Sequence, residues 1–425
     1  MKYNQVYNVL EDIFRENYSV NFEEDDSSLR ITLVEMPNSL SISKEEVISK
    51  IANICNVEDV PLVKIYVRNG NQKIIWTDKI VNPSNKIDSS QSQPRSTNTQ
   101  GMFANAAQKI SNITGVEELE EGFSLGLMFS EIFKKHSENE VEDYFTVGTE
   151  TTTPNIKDID TSWPRPWVFF RTFVSTLIVY IGFVQAWNEF RNINLIPGLI
   201  IVGSFAVPLS TLIFFFEVNT RRNISLYQLI RLLFFGGVLS LLFSLLLLKI
   251  TFSLSLNWLG ASVAGIVEEP GKLMALFLVI NNTKYRYILN GLLFGAAIGT
   301  GFATFESAGY ALRAALTDTD LMLDVILIRG ILAPFSHIIW TGMSAAILWK
   351  IKGVKKFQVG MLKDGRFLKI FGTAIVLHMI WNSPIEIPFY GKYLVLGAIG
   401  WIVTLGLIQS GLKQLREEKL NYAKK

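Results

Sequence analysis

The sequence predicts an all-α polytopic membrane helix bundle, of about eight transmembrane helices, preceded by a small soluble α+β domain. Three observations carry this reading. Apolar residues fill 49% of the 425 positions, and after Trp167 they gather into runs long enough to cross a ~30 Å hydrocarbon core. The stretch before Trp167 is polar and mixed in charge. The loops between the runs alternate in basic charge, as the positive-inside rule requires.

Composition removes several classes of function. The net charge of +2 gives no electrostatic case for nucleic acid, and no nucleic-acid partner is expected. The single cysteine, Cys55, excludes intrachain disulfides and any cysteine-built metal site. The N-terminus, MKYNQVYNVLEDIFRENYSV, lacks the apolar core and cleavage site of a secretory signal. Export of the soluble region by that route is therefore not expected.

Residues 1–82 read as the small soluble α+β domain. An amphipathic helix (Val6, Leu10, Ile13, Phe14) leads to a strand-like LRITLV. SKEEVISKIANICN follows as a helix, with Ser43 as N-cap and Glu46 three residues on. VKIYVRNGNQKIIWTDKI reads as two strands around a turn at Asn69–Gly70. Residues 83–102 contain a low-complexity linker, and 103–160 form a polar juxtamembrane segment with helical periodicity. His136 lies there among charged residues and reads as an ordinary surface histidine. The partner of the soluble domain is unknown from sequence.

Residues 161–412 read as the transmembrane domain, and 413–425 as a basic cytoplasmic tail. The apolar runs span about 167–188, 195–217, 226–248, 254–280, 287–312, 325–349, 367–385 and 392–412. The third carries only peripheral charge and reads as a plain packing helix. With the N-terminus cytoplasmic, one side collects Arg221, Arg222, Lys284, Arg286, the lysine-rich 350–369 loop and the basic tail. The other keeps little beyond Arg191, Lys249, Arg313 and Lys392. Both termini are thus expected in the cytoplasm, and the plasma (inner) membrane is the expected location.

Within these apolar runs sit costly polar groups. One intramembrane acid costs about 2.5–3.5 kcal/mol on insertion scales. The fourth run nevertheless holds Glu268 and Glu269 side by side, with Lys272 within helical reach of both. Pro270 and Gly271 beside them are expected to loosen or kink that helix. Taken alone, the pair reads equally as a buried ion pair that fixes helix packing.

In the fifth run Gly295, Gly299 and Ala303 recur every four positions, allowing close helix approach. Phe302 and Glu306 lie on or near that face. The sixth run presents His337, followed by Trp340 and Thr341 at helical spacing, with Pro334 three residues before it. The seventh presents His378 and Asn382 on one face, with Trp381 beside them. A lone histidine in an apolar helix is usually a packing residue. Here two of the three histidines in the chain are intramembrane. Two helices present an imidazole and two others present carboxylates. That set suits a divalent cation, zinc being the expected one. A remaining carboxylate can then take a proton from water whose pKa the cation lowers towards ~7. No HExxH helix, GxSxG elbow or intramembrane aspartate pair is present, so the zincin, serine and aspartyl arrangements are not expected.

Four motifs in chain order carry a resemblance: EEPGK at 268–272, Phe302 with Glu306, His337 with Trp340 and Thr341, and His378 with Asn382. Together, over about residues 160–412, they resemble the PrsW-type family of intramembrane metalloproteases, related to the CAAX-processing and abortive-infection membrane proteases. The resemblance implies an intramembrane endopeptidase. Its substrate would be a membrane-anchored protein within the lipid bilayer. It implies that Glu268 or Glu269 activates water, and that Glu306, His337 and His378 are the metal ligands. Asn382 would bind metal or stabilise the oxyanion, with Lys272 and Phe302 in support.

Two other readings compete. Buried acids, histidines and broken helices also build proton- or ion-coupled transporters, although no inverted internal repeat is visible. A non-catalytic membrane scaffold would use the same polar groups only to hold helices together.

Overall fold

The computed structural model describes residues 4–15, 17–25, 28–36, 46–51, 62–68, 74–81, 125–253 and 260–423. The chain divides into two compact units, Met1–Gln100 and Gly101–Lys425. The expected linker, Ser43, Cys55 and the Asn69–Gly70 turn lie outside the described residues.

The first unit opens with α1 (Asn4–Phe14). It continues through β1 (Tyr18–Asp25), β2 (Ser28–Glu35), a helix over 46–51 (α2), β3 (Leu62–Arg68) and β4 (Ile74–Val81). The four strands lie in the order β1-β2-β3-β4. β2 and β3 pair in parallel, and the two outer pairings are antiparallel. A parallel pair needs a crossover connection, and α2 lies within it. Leu10 and Phe14 of α1, Ile31 and Leu33 of β2, Val47 and Ile51 of α2, and Val63, Ile65 and Val67 of β3 form one core. β1 was not anticipated. Its tyrosine, valine and phenylalanine alternate at 18, 20 and 22, but the run ends in Glu-Glu-Asp, which masks a short strand.

In the second unit the first described elements are α3 (Leu125–Met128) and α4 (Glu138–Phe145). The continuous helical pattern expected here is broken between them. Ser137 caps α4, accepting from the Glu140 N–H while the Glu140 side chain returns to the Ser137 N–H. α5 (Val168–Phe190) follows, with α6 (Ile196–Val218) and α7 (Leu226–Arg231) after it. A π-helical turn at Leu232–Gly236 joins α7 to α8 (Gly237–Ser253). The third apolar run is therefore not a plain helix, and a π turn of this kind shifts the facing of everything beyond it. Then come α9 (Val263–Ala275), α10 (Ile288–Ala315), α11 (Thr319–Leu332), α12 (His337–Lys352), α13 (Gly365–Trp381) and α14 (Gly391–Ala423).

Six helical stretches among the described residues are long and apolar enough to cross a membrane: 168–190, 193–218, 226–251, 288–315, 319–352 and 388–423. The expected eight exceeds this. Among the described residues, the fourth and seventh runs contain the shorter helices α9 and α13, of 13 and 17 residues. α10 is buried along almost its whole length and is the hub of the bundle. Its small residues make that position possible. A Cβ on Gly295 would meet the Thr341 carbonyl at 2.3 Å, and one on Gly299 the His337 carbonyl at 2.5 Å. α10 and α12 thus touch backbone to backbone beside His337, as the small-residue spacing predicts.

α9 runs on through Pro270 without interruption. Gly271 serves contact rather than bending: a Cβ there would meet Ser244 Oγ of α8 at 2.4 Å. α5 lies at the opposite extreme from α10, with only Val168 and Trp187 buried. Its first turn is tied down by Glu217 at the end of α6, whose carboxylate accepts from the Trp167, Val168 and Phe169 N–H groups at 2.8–2.9 Å. Those donors have no partner within their own helix. His136 is no ordinary surface histidine. Its ring stacks flat on Trp167, 3.7 Å between centroids, and its side chain is 13% exposed.

Candidate active site

Four helices bring the expected polar residues together: α9 (Glu268, Glu269, Lys272), α10 (Phe302, Glu306), the start of α12 (His337), and α13 (His378) with its C-cap Asn382. Lys272 is fully buried at the centre. Its Nζ donates to Glu269 Oε1 at 2.6 Å and stands 2.9 Å from His337 Nδ1, while Glu268 Oε2 lies at 3.9 Å. The ammonium also sits 4.4 Å from the centre of the Phe302 ring, a cation–π contact suited to a site without bulk water. A buried cation is tolerable only with such partners.

The hydrogen bonds order the imidazole protons. Glu269 Oε1 is 2.8 Å from His378 Nδ1. A carboxylate only accepts, so Nδ1 carries the proton and the Nε2 lone pair is free. That Nε2 faces Glu268 Oε2 at 3.6 Å. At His337 the order is reversed. An ammonium only donates, so Nδ1 accepts from Lys272 and Nε2 donates to Glu306 Oε2 at 3.1 Å. Trp340 packs on both rings, at 4.7 Å from His378 and 5.4 Å from His337, and the imidazoles are 4.9 Å apart.

One ligand atom each from Glu268, His337 and His378 lies within 4.8 Å of the others. This trio differs from the expected Glu306, His337 and His378, because Glu268 takes the place of Glu306. Two imidazoles and one carboxylate are a donor set suited to a divalent cation. Glu268 Oε2 is buried and accepts no hydrogen bond among the described residues. A buried carboxylate oxygen without a donor is costly, and a cation at this position would satisfy it. The residues therefore fit a metal.

Glu268, Glu306, His337, His378 and Asn382 all line one cavity of about 750 Å³. Glu269 and Lys272 stand behind it. Asn382 closes α13, its N–H bonded to the His378 carbonyl at 3.2 Å. The apolar cavity wall includes Leu241 and Leu245 of α8, and Ile328 and Leu332 of α11.

One member of the constellation escaped the sequence reading. Arg329 of α11 reaches Glu306 Oε2 at 2.5 Å and Ser307 Oγ at 2.9 Å. A charged residue inside the apolar run VILIRGIL carries the same cost that singled out the glutamates, and that signal was available.

No curated protein and no solved structure matches the chain significantly. With six membrane-length helices among the described residues and a polar cluster that suits a divalent cation, the chain is an integral membrane protein, and its residues 225–408 match the family model described as PrsW family intramembrane metalloprotease.

Proposed function

We propose that the chain is an intramembrane endopeptidase that cleaves membrane-anchored proteins with a glutamate-activated water. The observation that carries this reading is the meeting of Glu268, His337 and His378 on one cavity wall, with Glu306 beside them. In this reading α9 and α13 also cross the bilayer and complete eight spans, and both termini are cytoplasmic.

Glu268, His337 and His378 would hold the metal, zinc by its donor preference. The ion supplies Lewis acidity for carbonyl polarisation. Glu306 accepts the proton from the attacking water and passes it to the leaving amine. It suits this role because it lines the cavity, whereas Glu269 is turned away into the packing. Glu269 instead orients His378 and neutralises Lys272, as carboxylates behind metal-bound histidines do. For His337 to ligate through Nε2, its proton has to move to Nδ1. Lys272 then turns wholly towards the glutamates. The Asn382 amide, at the cavity wall, donates to the oxyanion.

The deciding experiment pairs metal analysis of purified protein with that of the His337→Ala/His378→Ala double variant. Stoichiometric divalent metal in the first and loss in the second is expected. Equal metal in both rejects the ligand set. A reading as transporter predicts ion flux into vesicles that the same double variant abolishes, and no new peptide termini.

A further inference from the structure

We infer that Arg329 is a positioning residue for the reaction: its guanidinium fixes the rotamer of Glu306 so that one carboxylate oxygen is saturated and the other is free to work. The inference rests on the reading of Glu306 as the base. Glu306 Oε2 takes two donors, Arg329 Nη2 at 2.5 Å and His337 Nε2 at 3.1 Å. Oε1 makes no hydrogen bond among the described residues, and the side chain lines the cavity. A carboxylate on an otherwise apolar helix face has several rotamers within reach. With the His337 Nε2 proton moved for metal ligation, Arg329 is the donor that remains on this oxygen, and its charged hydrogen bond selects one of them.

The guanidinium is itself held on three sides. Nε donates to Ser307 Oγ at 2.9 Å, Nη2 to Glu306, and Cζ lies 4.4 Å from the centre of the Tyr310 ring. Ser307 and Tyr310 are one and four residues beyond Glu306 on α10. The clamp therefore joins α11 to the α10 turn that bears the base. Both donors to Oε2 come from one stretch of chain. α11 ends at Leu332, a 3-10 turn spans Ala333–Phe335, and His337 opens α12. In a continuous helix through Pro334, Arg329 and His337 would stand about 12 Å apart along the axis, eight residues at ~1.5 Å each. The break lets both reach a single oxygen.

Arg329 sits apart from the four motifs, touches no ligand of the proposed metal directly, and also lines the cavity. A surface ion pair would be worth little. This one is 28% and 19% exposed on its two side chains, enough for a small cation to enter if the arginine is removed.

The test uses full-length protein in phospholipid vesicles, fused with membranes from cells that carry only the Glu306→Gln chain and so keep their substrates uncut. New peptide N-termini are counted by mass spectrometry. Arg329→Ala is expected to lower their rate of appearance at least tenfold, with metal content and unfolding temperature close to wild type. Millimolar guanidinium should restore a substantial part of it, and Arg329→Lys should fall between. A merely structural arginine would not respond to guanidinium. Cleavage by Arg329→Ala at the wild-type rate overturns the inference, as does a loss that neither guanidinium nor lysine repairs. If Glu306→Gln itself cleaves, the reading of the base has failed instead.

Discussion

Glu269 Oε1 and His378 Nδ1 share a hydrogen bond of 2.8 Å, and that bond decides which imidazole nitrogen faces the cavity. The same oxygen accepts from Lys272 at 2.6 Å. One buried carboxylate therefore sets both the tautomer of a proposed ligand and the place of the buried ammonium beside it.

Glu269→Gln should weaken metal binding more than it weakens the fold. Orienting partners behind metal-bound histidines are typically worth 10–100-fold in affinity. Glu269→Ala goes further, leaving Lys272 short of its closest anion, and breaking a buried pair this way costs about 3–5 kcal/mol. Competition with a chelator reads the first effect, and thermal unfolding in detergent the second. Unchanged metal affinity in Glu269→Gln would remove the orienting role.

Glu268→Ala and Glu306→Gln should separate the two roles given to glutamates on the cavity wall. The first is expected to lose metal and cleavage together. The second should keep its metal and lose about 10²–10⁴-fold in rate, the usual worth of a general base. Metal analysis beside the vesicle-fusion assay distinguishes them. The opposite pattern, with Glu306→Gln empty of metal, would return Glu306 to the ligand set.

Gly299→Val should disable the site without touching a polar group. Its Cβ would meet the His337 carbonyl at 2.5 Å, forcing α12 away from α10 and moving the imidazole. Overpacking of this kind costs about 1–3 kcal/mol. Gly309→Ala, on the same helix where a Cβ meets nothing within 4 Å, should be neutral or gain up to about 1 kcal/mol from helix propensity. Comparable unfolding temperatures for the two variants would contradict the packing described here.

Glu217→Ala should loosen the start of α5. Three backbone N–H groups lose their acceptor, and each buried donor left unpaired costs about 1–3 kcal/mol where water cannot replace it. Glu217→Gln keeps one carbonyl oxygen and should cost less. Hydrogen exchange at Trp167, Val168 and Phe169 measures it directly, rising first in the alanine variant.

By itself the sequence determined that this is a membrane protein, that its polar cluster sits on the later spans, and which motif residues belong to it. These follow from transfer free energy: a charged or imidazole side chain in an apolar run is costly wherever the run finally packs, so it is visible without coordinates. That Glu268 rather than Glu306 gathers with the two imidazoles, and that Glu269 stands away from the cavity, is visible only in the tertiary structure. Neighbouring residues on a helix point about 100° apart, and which of two adjacent glutamates meets the histidines depends on how α9 rolls against α8, where Gly271 nests on Ser244. The clamp of Arg329 on Glu306 likewise needed the turn at Ala333–Phe335 to exist in three dimensions. Local chemistry names the parts, but helix rotation and the breaks between helices assign their partners.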